Sequence, residues 1–361
     1  MKTTVYVLCG GRTVEHDVSL ISATGIINSL SRENYTVIPI YINQAGCFFS
    51  HGPVFEKIEN PQDLKIRWEG EDEKDETGKI LQIMLAQTGP KVVFPALHGT
   101  FGEDGTVQGL LDMLNIAYVG NGVMSSAIAM DKGVTKDLFH LHGIPQSRYQ
   151  VFTKSDWQNR QLSVITNISK AFDYPLFVKP ARGGSSVGIS QANDLKAFQQ
   201  AVDKALEFDD KIVVEETLVG REMQISVVGN QQPEASVVGE FIQERAFMDY
   251  AAKYLDGKLI QVIPANLTEK TAQAMRKTAV DAFQVLNCQG LARVDFFVCQ
   301  GERFYVNEVN TMPGFTMKSM TPVLWERTDG TTYSQLVDRL IQLAIERHEE
   351  RNKLCYERGD Q

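Results

Sequence analysis

The chain has 361 residues, 43% of them hydrophobic and 22% charged; that balance excludes a disordered or fibrous protein, and the length suits two or three domains with cores of their own. A formal net charge of -9 argues against nucleic acid or anionic membrane as the main partner, so any phosphate site must be built locally. The five cysteines, Cys9, Cys47, Cys288, Cys299 and Cys355, are scattered without CxxC or His-bearing metal spacing and read as reduced thiols of a cytoplasmic protein.

Apolar runs at residues 5–9, 37–42 and 92–97 each precede polar, Gly-marked turns, which predicts buried strands of an α/β opening. The first run is too short for a signal-peptide core, and no later one nears the ~20 residues of a membrane span. Six acids and one Lys at residues 69–76 read as a solvated surface loop, with an acidic binding site as the alternative. After the Gly120-Asn121-Gly122 turn, one helix is expected over residues 125–142, stopped by Gly143 and Pro145. Strands near 177–179 and 212–216 then flank a Gly-rich loop and a helix over 194–206. From Gly220 onward the pattern gives strands, a charged and aromatic loop at 245–258, a helix, a hairpin and a C-terminal helix. The expected division is an N-terminal α/β unit over 1–124, a central unit over 125–219 and a C-terminal unit over 220–361, without internal repeats.

Three groups of residues carry chemistry. In the first unit, Gly10 to Ser19 follow the first strand, where ligands of α/β sheets bind; Glu15 there could anchor an ammonium, or simply be an acid favoured by a helix N-terminus. His98 to Gly105 form a second strand-end loop. In the central unit, Lys179-Pro180-Ala181-Arg182-Gly183-Gly184-Ser185-Ser186-Val187-Gly188 combines small residues, hydroxyls and cations, as backbone N–H groups closing around phosphate oxygens require. The sequence is neither a P-loop nor GxGxxG, and such a loop can equally be a flexible turn. In the third unit, Arg293 and Asp295 stand two apart on one strand, as do Glu308 and Asn310 on the next. A hairpin with an even-length turn brings both pairs to one face. Oxygen donors of that kind suit Mg²⁺, whereas a salt-bridged sheet surface would leave two facing carboxylates without a cation.

Together these segments resemble the D-alanine–D-alanine ligase family of the ATP-grasp superfamily, over nearly the whole chain. One family signature is matched by HGTFGEDGTVQG at 98–109, another by GLARVDFFV at 290–298 with NEVNTMPG at 307–314. The Met130-Asp131-Lys132 step, the phosphate loop and Asp249-Tyr250-Ala251-Ala252-Lys253-Tyr254 are also similar. Val306 departs from the family's usual Leu or Ile without chemical consequence.

The resemblance implies a three-domain ATP-grasp ligase of mixed α/β (α+β) class, working on ATP and two D-alanines with two Mg²⁺ ions per site (Mn²⁺ as the alternative), and a homodimer. Lys132, Lys179 and Ser186 would hold ATP phosphates, Glu215 to Leu218 the adenine, and Glu222 the ribose hydroxyls. Asp295, Glu308 and Asn310 would be the metal ligands, with Lys253 near the transferred phosphoryl group. Arg293 and the Gly314 backbone N–H match the donors to the tetrahedral oxyanion. Tyr254, on a lid over 245–258, would link through Ser185 to Glu15, which holds the first substrate's ammonium. Ser319 and Met320, with His98 nearby, match the positions around the second substrate's carboxylate.

Relatives of the vancomycin-resistance type make D-alanyl-D-lactate or D-alanyl-D-serine. The lactate-forming ones carry His where this chain has Tyr254, and the serine-forming ones tend to Phe and Arg where it has Tyr250 and Met320, so D-alanine is expected as second substrate. A non-catalytic ATP-binding scaffold, the reading from another class, would have no reason to keep Lys132, Lys179, Tyr254, Arg293, Asp295, Glu308 and Asn310 together.

Overall fold

The computed structural model describes residues 2–70, 72–242 and 260–355. Strands β1 (Thr3–Gly10), β2 (Tyr35–Ile42), β3 (Phe48–Ser50), β4 (Lys91–Pro95) and β5 (Ala117–Tyr118) form one sheet in the order β3-β2-β1-β4-β5. It is parallel except for the β3 edge, which runs antiparallel to β2. β1 is buried from Thr4 to Gly10, as a parallel strand covered on both faces must be. The connecting helices are α1 (His16–Ser29), α2 (Glu73–Ala86) and α3 (Thr106–Met113). The acidic run expected as a loop instead supplies the cap and first turn of α2: Asp72 accepts from the Lys74 and Asp75 amides, and Glu73, Asp75 and Glu76 follow. A helix N-terminus welcomes those charges.

The single helix expected over 125–142 is two, α4 (Val123–Met130) and α5 (Lys132–Leu141). Asp131 leaves the helical region at φ -87, ψ 100, and its carboxylate caps α5 by accepting from Gly133 and Val134. Lys211 binds the same carboxylate at 2.8 Å. No Gly or Pro marks the break. An N-cap aspartate held by a distant lysine outweighs the propensity to continue.

A second sheet is antiparallel, with β6 (Tyr149–Thr153), β7 (Leu176–Pro180), β8 (Ser190–Ala192) and β9 (Lys211–Glu216) in the order β6-β9-β7-β8. Helices α6 (Lys154–Ala171) and α7 (Leu195–Ala205) cover it, with Phe152, Trp157 and Phe198 at the centre of that core. The third sheet, also antiparallel, is β10 (Gly220–Gly229), β11 (Glu234–Ala235), β12 (Gly239–Ile242), β13 (Ile260–Val262), β14 (Gly290–Cys299) and β15 (Phe304–Asn310). Its order is β13-β12-β10-β14-β15, with β11 on β10. Helix α8 (Glu269–Val285) packs on it, and α9 (Met320–Asp329) and α10 (Tyr333–Asn352) close the chain.

The cores cross the sequence order. Trp325, Leu336 and Ile341 from the last two helices share a core with Val5, Val7 and Phe94 of the first sheet. Phe139 and Ile144 pack with Phe283 and Phe296 beneath the third. No helix among the described residues is long and apolar enough to cross a membrane.

Asn121, in the turn after β5, fixes the first sheet to the third. It is 1% exposed; its amide donates to the carbonyls of Leu291 and Thr311 (2.9 Å to the latter), and its oxygen accepts from the Gln289 N–H at 2.9 Å. Asn121→Ala would orphan three buried backbone groups, at about 1–3 kcal/mol for a buried group left unpaired. We expect about 3 kcal/mol lower stability in urea titration; a change below about 0.5 kcal/mol would show that the turn is held by other contacts.

Candidate active site

A cavity of about 1120 Å³ lies where the three sheets meet, and every expected site residue within the described range lines it. Lys253 and Tyr254, together with the expected loop at 245–258 that carries them, lie outside the described residues apart from no more than its flanks at β12 and β13.

The β14–β15 hairpin forms one wall. Arg293 stands opposite Asn310 and Asp295 opposite Glu308, so the four share a face, but not through the even-length turn expected: the turn has three residues, Gln300–Glu302, with the Cys299 N–H donating to the Arg303 carbonyl at 2.7 Å, and its register alone would set Arg293 opposite Val309. The register then slips: Phe296 pairs with Val306, leaving Asn307 in a bulge. Val306 and Val309, three apart, are both buried, which a regular strand with its period of two forbids. The bulge turns both valines into the core while Glu308 and Asn310 keep facing the cavity. Arg293 grips Asp295 through two parallel bonds, Nε to Oδ1 at 2.7 Å and Nη2 to Oδ2 at 2.8 Å. Gln224, from β10, and Asn310 each donate to Asp295 Oδ2 at 3.2 Å. Glu222 stands two residues before Gln224 on the same strand and lines the cavity with it.

The loop after β7 forms the floor. Ser185 and Ser186 both adopt left-handed backbone, at φ 51 and φ 60, a strain that non-glycine residues keep when their surroundings dictate it. Lys132, at the start of α5, donates from Nζ to the Gly183 carbonyl at 2.8 Å, and its own N–H donates to Ala181 at 2.9 Å.

The loops after β1 and β4 form the third wall. Glu15 is 7% exposed and stands at the N-cap of α1 without capping it by its side chain. Its carboxylate accepts from the Ser185 hydroxyl at 2.6 Å instead. Gly99, at φ +71, lies so close that an added Cβ would be 2.6 Å from Glu15 Oε2, so glycine is required there. His98 is buried, with Nε2 2.9 Å from Ser22 Oγ and Nδ1 3.2 Å from the Met312 carbonyl. Burial by itself lowers the His98 pKa, but Glu103, with Glu15 and that carbonyl, raises it above its ordinary value. Burial raises that of Glu103.

Beside them, the α9 N-terminus opens on the cavity with Ser319 as its cap residue and Met320 buried at its first position. The Ser319 hydroxyl accepts from the Thr316 N–H at 2.9 Å, and Gly314 is close by. A helix N-terminus of this kind offers N–H donors to a carboxylate.

Glu215, at the end of β9, turns its side chain into the wall. Its carboxylate lies 2.9 Å from Lys179 Nζ and 3.3 Å from Lys136 Nζ, and accepts from Ser147 Oγ at 2.7 Å. Burial pushes its pKa up, yet the two lysines and Ser147 outweigh that and bring it down to about 2. The carboxylate is thus bound within the wall, and residues 215–218 line the cavity beside it. Lys136, Ser147, Gln224 and Glu103 were not singled out in the sequence. For Lys136 and Gln224 the one signal is polarity inside a helix and a strand pattern; Glu103 lies in the 98–105 loop already quoted, and Ser147 in a loop without a signal of its own.

Asp295, Glu308 and Asn310 together supply two carboxylates and one amide oxygen. Hard oxygen donors in so small a number fit Mg²⁺ or Mn²⁺, which keep waters and take further ligands from phosphates. No group of three or more His, Cys, Asp or Glu placed to hold a metal ion occurs among the described residues.

Residues 4–121 match the family described as D-ala D-ala ligase N-terminus, and residues 138–342 that described as D-ala D-ala ligase C-terminus. A D-alanine--D-alanine ligase of Geobacillus kaustophilus is 45% identical over 99% of this chain and 98% of its own length; one from Bacillus cytotoxicus is 42% identical over 97% of each. Among solved structures, a D-alanine-D-alanine ligase from Coxiella burnetii has a TM-score of 0.79 at 33% identity, covering 98% of this chain and 96% of its own. A D-Ala:D-Ser ligase from Enterococcus faecalis has 0.80 at 28%, covering 95% and 100%.

The depressed Glu215 pKa predicts an acid limb of stability. The folded value of about 2 lies below the ordinary 4.5, so the contribution is fully present above pH 4.5 and is lost as pH falls toward 2. By linkage it amounts to about 3 kcal/mol. Urea titrations at pH 6, 4 and 2.5 should show Glu215→Gln with a shallower loss than wild type; parallel pH dependences would refute the paired carboxylate.

Proposed function

The chain belongs to the D-alanine–D-alanine ligase family, has the fold of its ATP-grasp members, and joins two D-alanines at the expense of ATP; from that premise we propose how its residues divide the work. The γ-phosphoryl group passes to the carboxylate of the first D-alanine, and the amine of the second attacks the resulting acyl phosphate, releasing phosphate and leaving ADP and the dipeptide. The observation that carries the assignment is the 2.6 Å bond from Ser185 to Glu15, which brings the phosphate loop to the loop after β1, so that a first substrate held by its ammonium at Glu15 lies over the phosphates.

Lys132, Lys179 and Ser186 hold the phosphates, with Lys253 at the transferred group; the backbone from Glu215 to Leu218 takes the adenine, and Glu222 the ribose. Mg²⁺ or Mn²⁺, one ion or two, would sit on Asp295, Glu308 and Asn310 and neutralise phosphate charge when bound. The first step needs alignment more than covalent assistance, which these anchors provide. In the second step Arg293 and the Gly314 N–H face the developing oxyanion, and the α9 N-terminus at Ser319 and Met320, with His98 behind it, takes the second carboxylate. Acyl phosphates hydrolyse readily, so Tyr254 and its segment belong to the closure that excludes water. The D-serine-forming neighbour shares the fold, so the fold does not choose the second substrate; the names of the more similar sequences and the apolar Met320 favour D-alanine. We place the enzyme in the cytoplasm, as a homodimer, making a cell-wall precursor.

Arg293→Ala tests the division. Loss of charge-assisted donors at an oxyanion costs about 3–4 kcal/mol, so turnover per folded molecule should fall roughly 10²–10³-fold. ATP affinity should stay within about threefold, since ATP binding precedes the amine's attack. The bond to Asp295 means that some stability is lost too, which is why activity is normalised to folded protein. Normal turnover in the folded fraction would return Arg293 to a structural role.

A further inference from the structure

Behind the cavity wall lies a charged group that the reaction as described does not use. Lys136, on α5, is 2% exposed and is not among the residues that line the cavity. Its Nζ is 2.9 Å from Ser147 Oγ and 3.3 Å from Glu215 Oε2, with the Tyr149 ring 5.5 Å away. Lys179, on β7, reaches Glu215 from the opposite side at 2.9 Å and does line the cavity, with 13% of its side chain exposed. One carboxylate is thus shared by two ammonium groups, one inside the wall and one on its surface.

Burying a lysine is costly, and one partner would suffice to satisfy Glu215. The second makes sense in terms of charge. With Lys179 alone, Glu215 would form a neutral pair and cancel the field that the cavity presents to an anion. With Lys136 added, the group carries one net positive charge, and the member able to deliver it is Lys179. We propose that Lys136 is a positioning residue for nucleotide binding: it neutralises Glu215 from behind, so that the Lys179 ammonium stays electrically available to the phosphates. This rests on the reading of the cavity as an ATP site.

The test is the ratio of ATP to adenosine affinity, measured by titration calorimetry on the full chain, because adenosine uses the same hinge and ribose contacts without phosphates. Lys136→Met should weaken ATP and ADP by roughly tenfold or more, as removal of a unit charge 3.3 Å from the carboxylate that holds Lys179 implies, and leave adenosine within about twofold. The double variant K136M/E215Q removes the carboxylate together with its inner partner and returns Lys179 to an uncompensated charge, so its ATP-to-adenosine ratio should recover to within about threefold of wild type. It also serves if the single variant does not fold, because it buries no unpaired charge. Equal weakening of adenosine and ATP in K136M, an unchanged ratio, or a double variant with the ratio as low as the single one overturns the proposal. Wild-type protein that binds no ATP would overturn the ATP site itself, and Lys136 with it.

Discussion

A cavity that must receive polyanions, in a chain of net charge -9, has to concentrate cations where they are costly to leave alone. Three cations of the cavity wall each have an oxygen to rest on. Lys132 lies on the Gly183 carbonyl, Lys179 on Glu215, and Arg293 on Asp295. Each bond orients a donor that a mobile side chain would otherwise have to order during binding, and preorganised charge is what lowers a barrier. The local geometry follows from holding these partners in place. The helix breaks at Asp131 so that Lys132 begins a new one beside the phosphate loop, and the bulge at Asn307 lets Glu308 and Asn310 face Asp295 while the valines around them stay in the core.

The parts of the fold legible in the sequence were those governed by one period. β1, β2 and β4 read as buried runs, and Arg293, Asp295, Glu308 and Asn310 read as one face because a strand repeats every two residues. Where two requirements competed, the pattern failed. Residues 125–142 have the apolar spacing of one helix, but Asp131 is worth more as a cap with Lys211 on it. The acids at 72–76 look like solvent filler until a helix begins among them. Val306 and Val309 conflict with an unbroken strand, and the bulge that reconciles them was already implied by that conflict.

The site divides differently. Composition and spacing reached Asp295, Glu308, Asn310, the Gly-rich loop after β7 and Glu15 as candidates, while Glu222, Ser319 and Gly314 came only through resemblance to a family. Side chains in the second layer were reached by neither. Lys136, Ser147 and Gln224 bear on Glu215 and Asp295 from strands and helices distant in sequence, and nothing local distinguishes a lysine bound for a buried triad from one on the surface of an amphipathic helix. Glu215 illustrates the limit: its sequence reads as the acidic end of a buried strand, and nothing in it tells that the carboxylate turns inward to two lysines.

The Ser185–Glu15 contact joins two segments that no single sheet holds together. Ser185 and Ser186 sit in left-handed backbone, and a serine has no intrinsic reason to accept that cost. What the conformation achieves is direction: it carries the Ser185 hydroxyl across to Glu15 while the neighbouring glycines keep the loop open to phosphates. Gly99 is the counterpart on the other side, since any side chain there would displace the Glu15 carboxylate. A strained serine and an obligatory glycine thus fix one carboxylate over the phosphate loop. The same placement ties the loop after β7 to the loop after β1, because a change in either backbone moves the shared hydrogen bond.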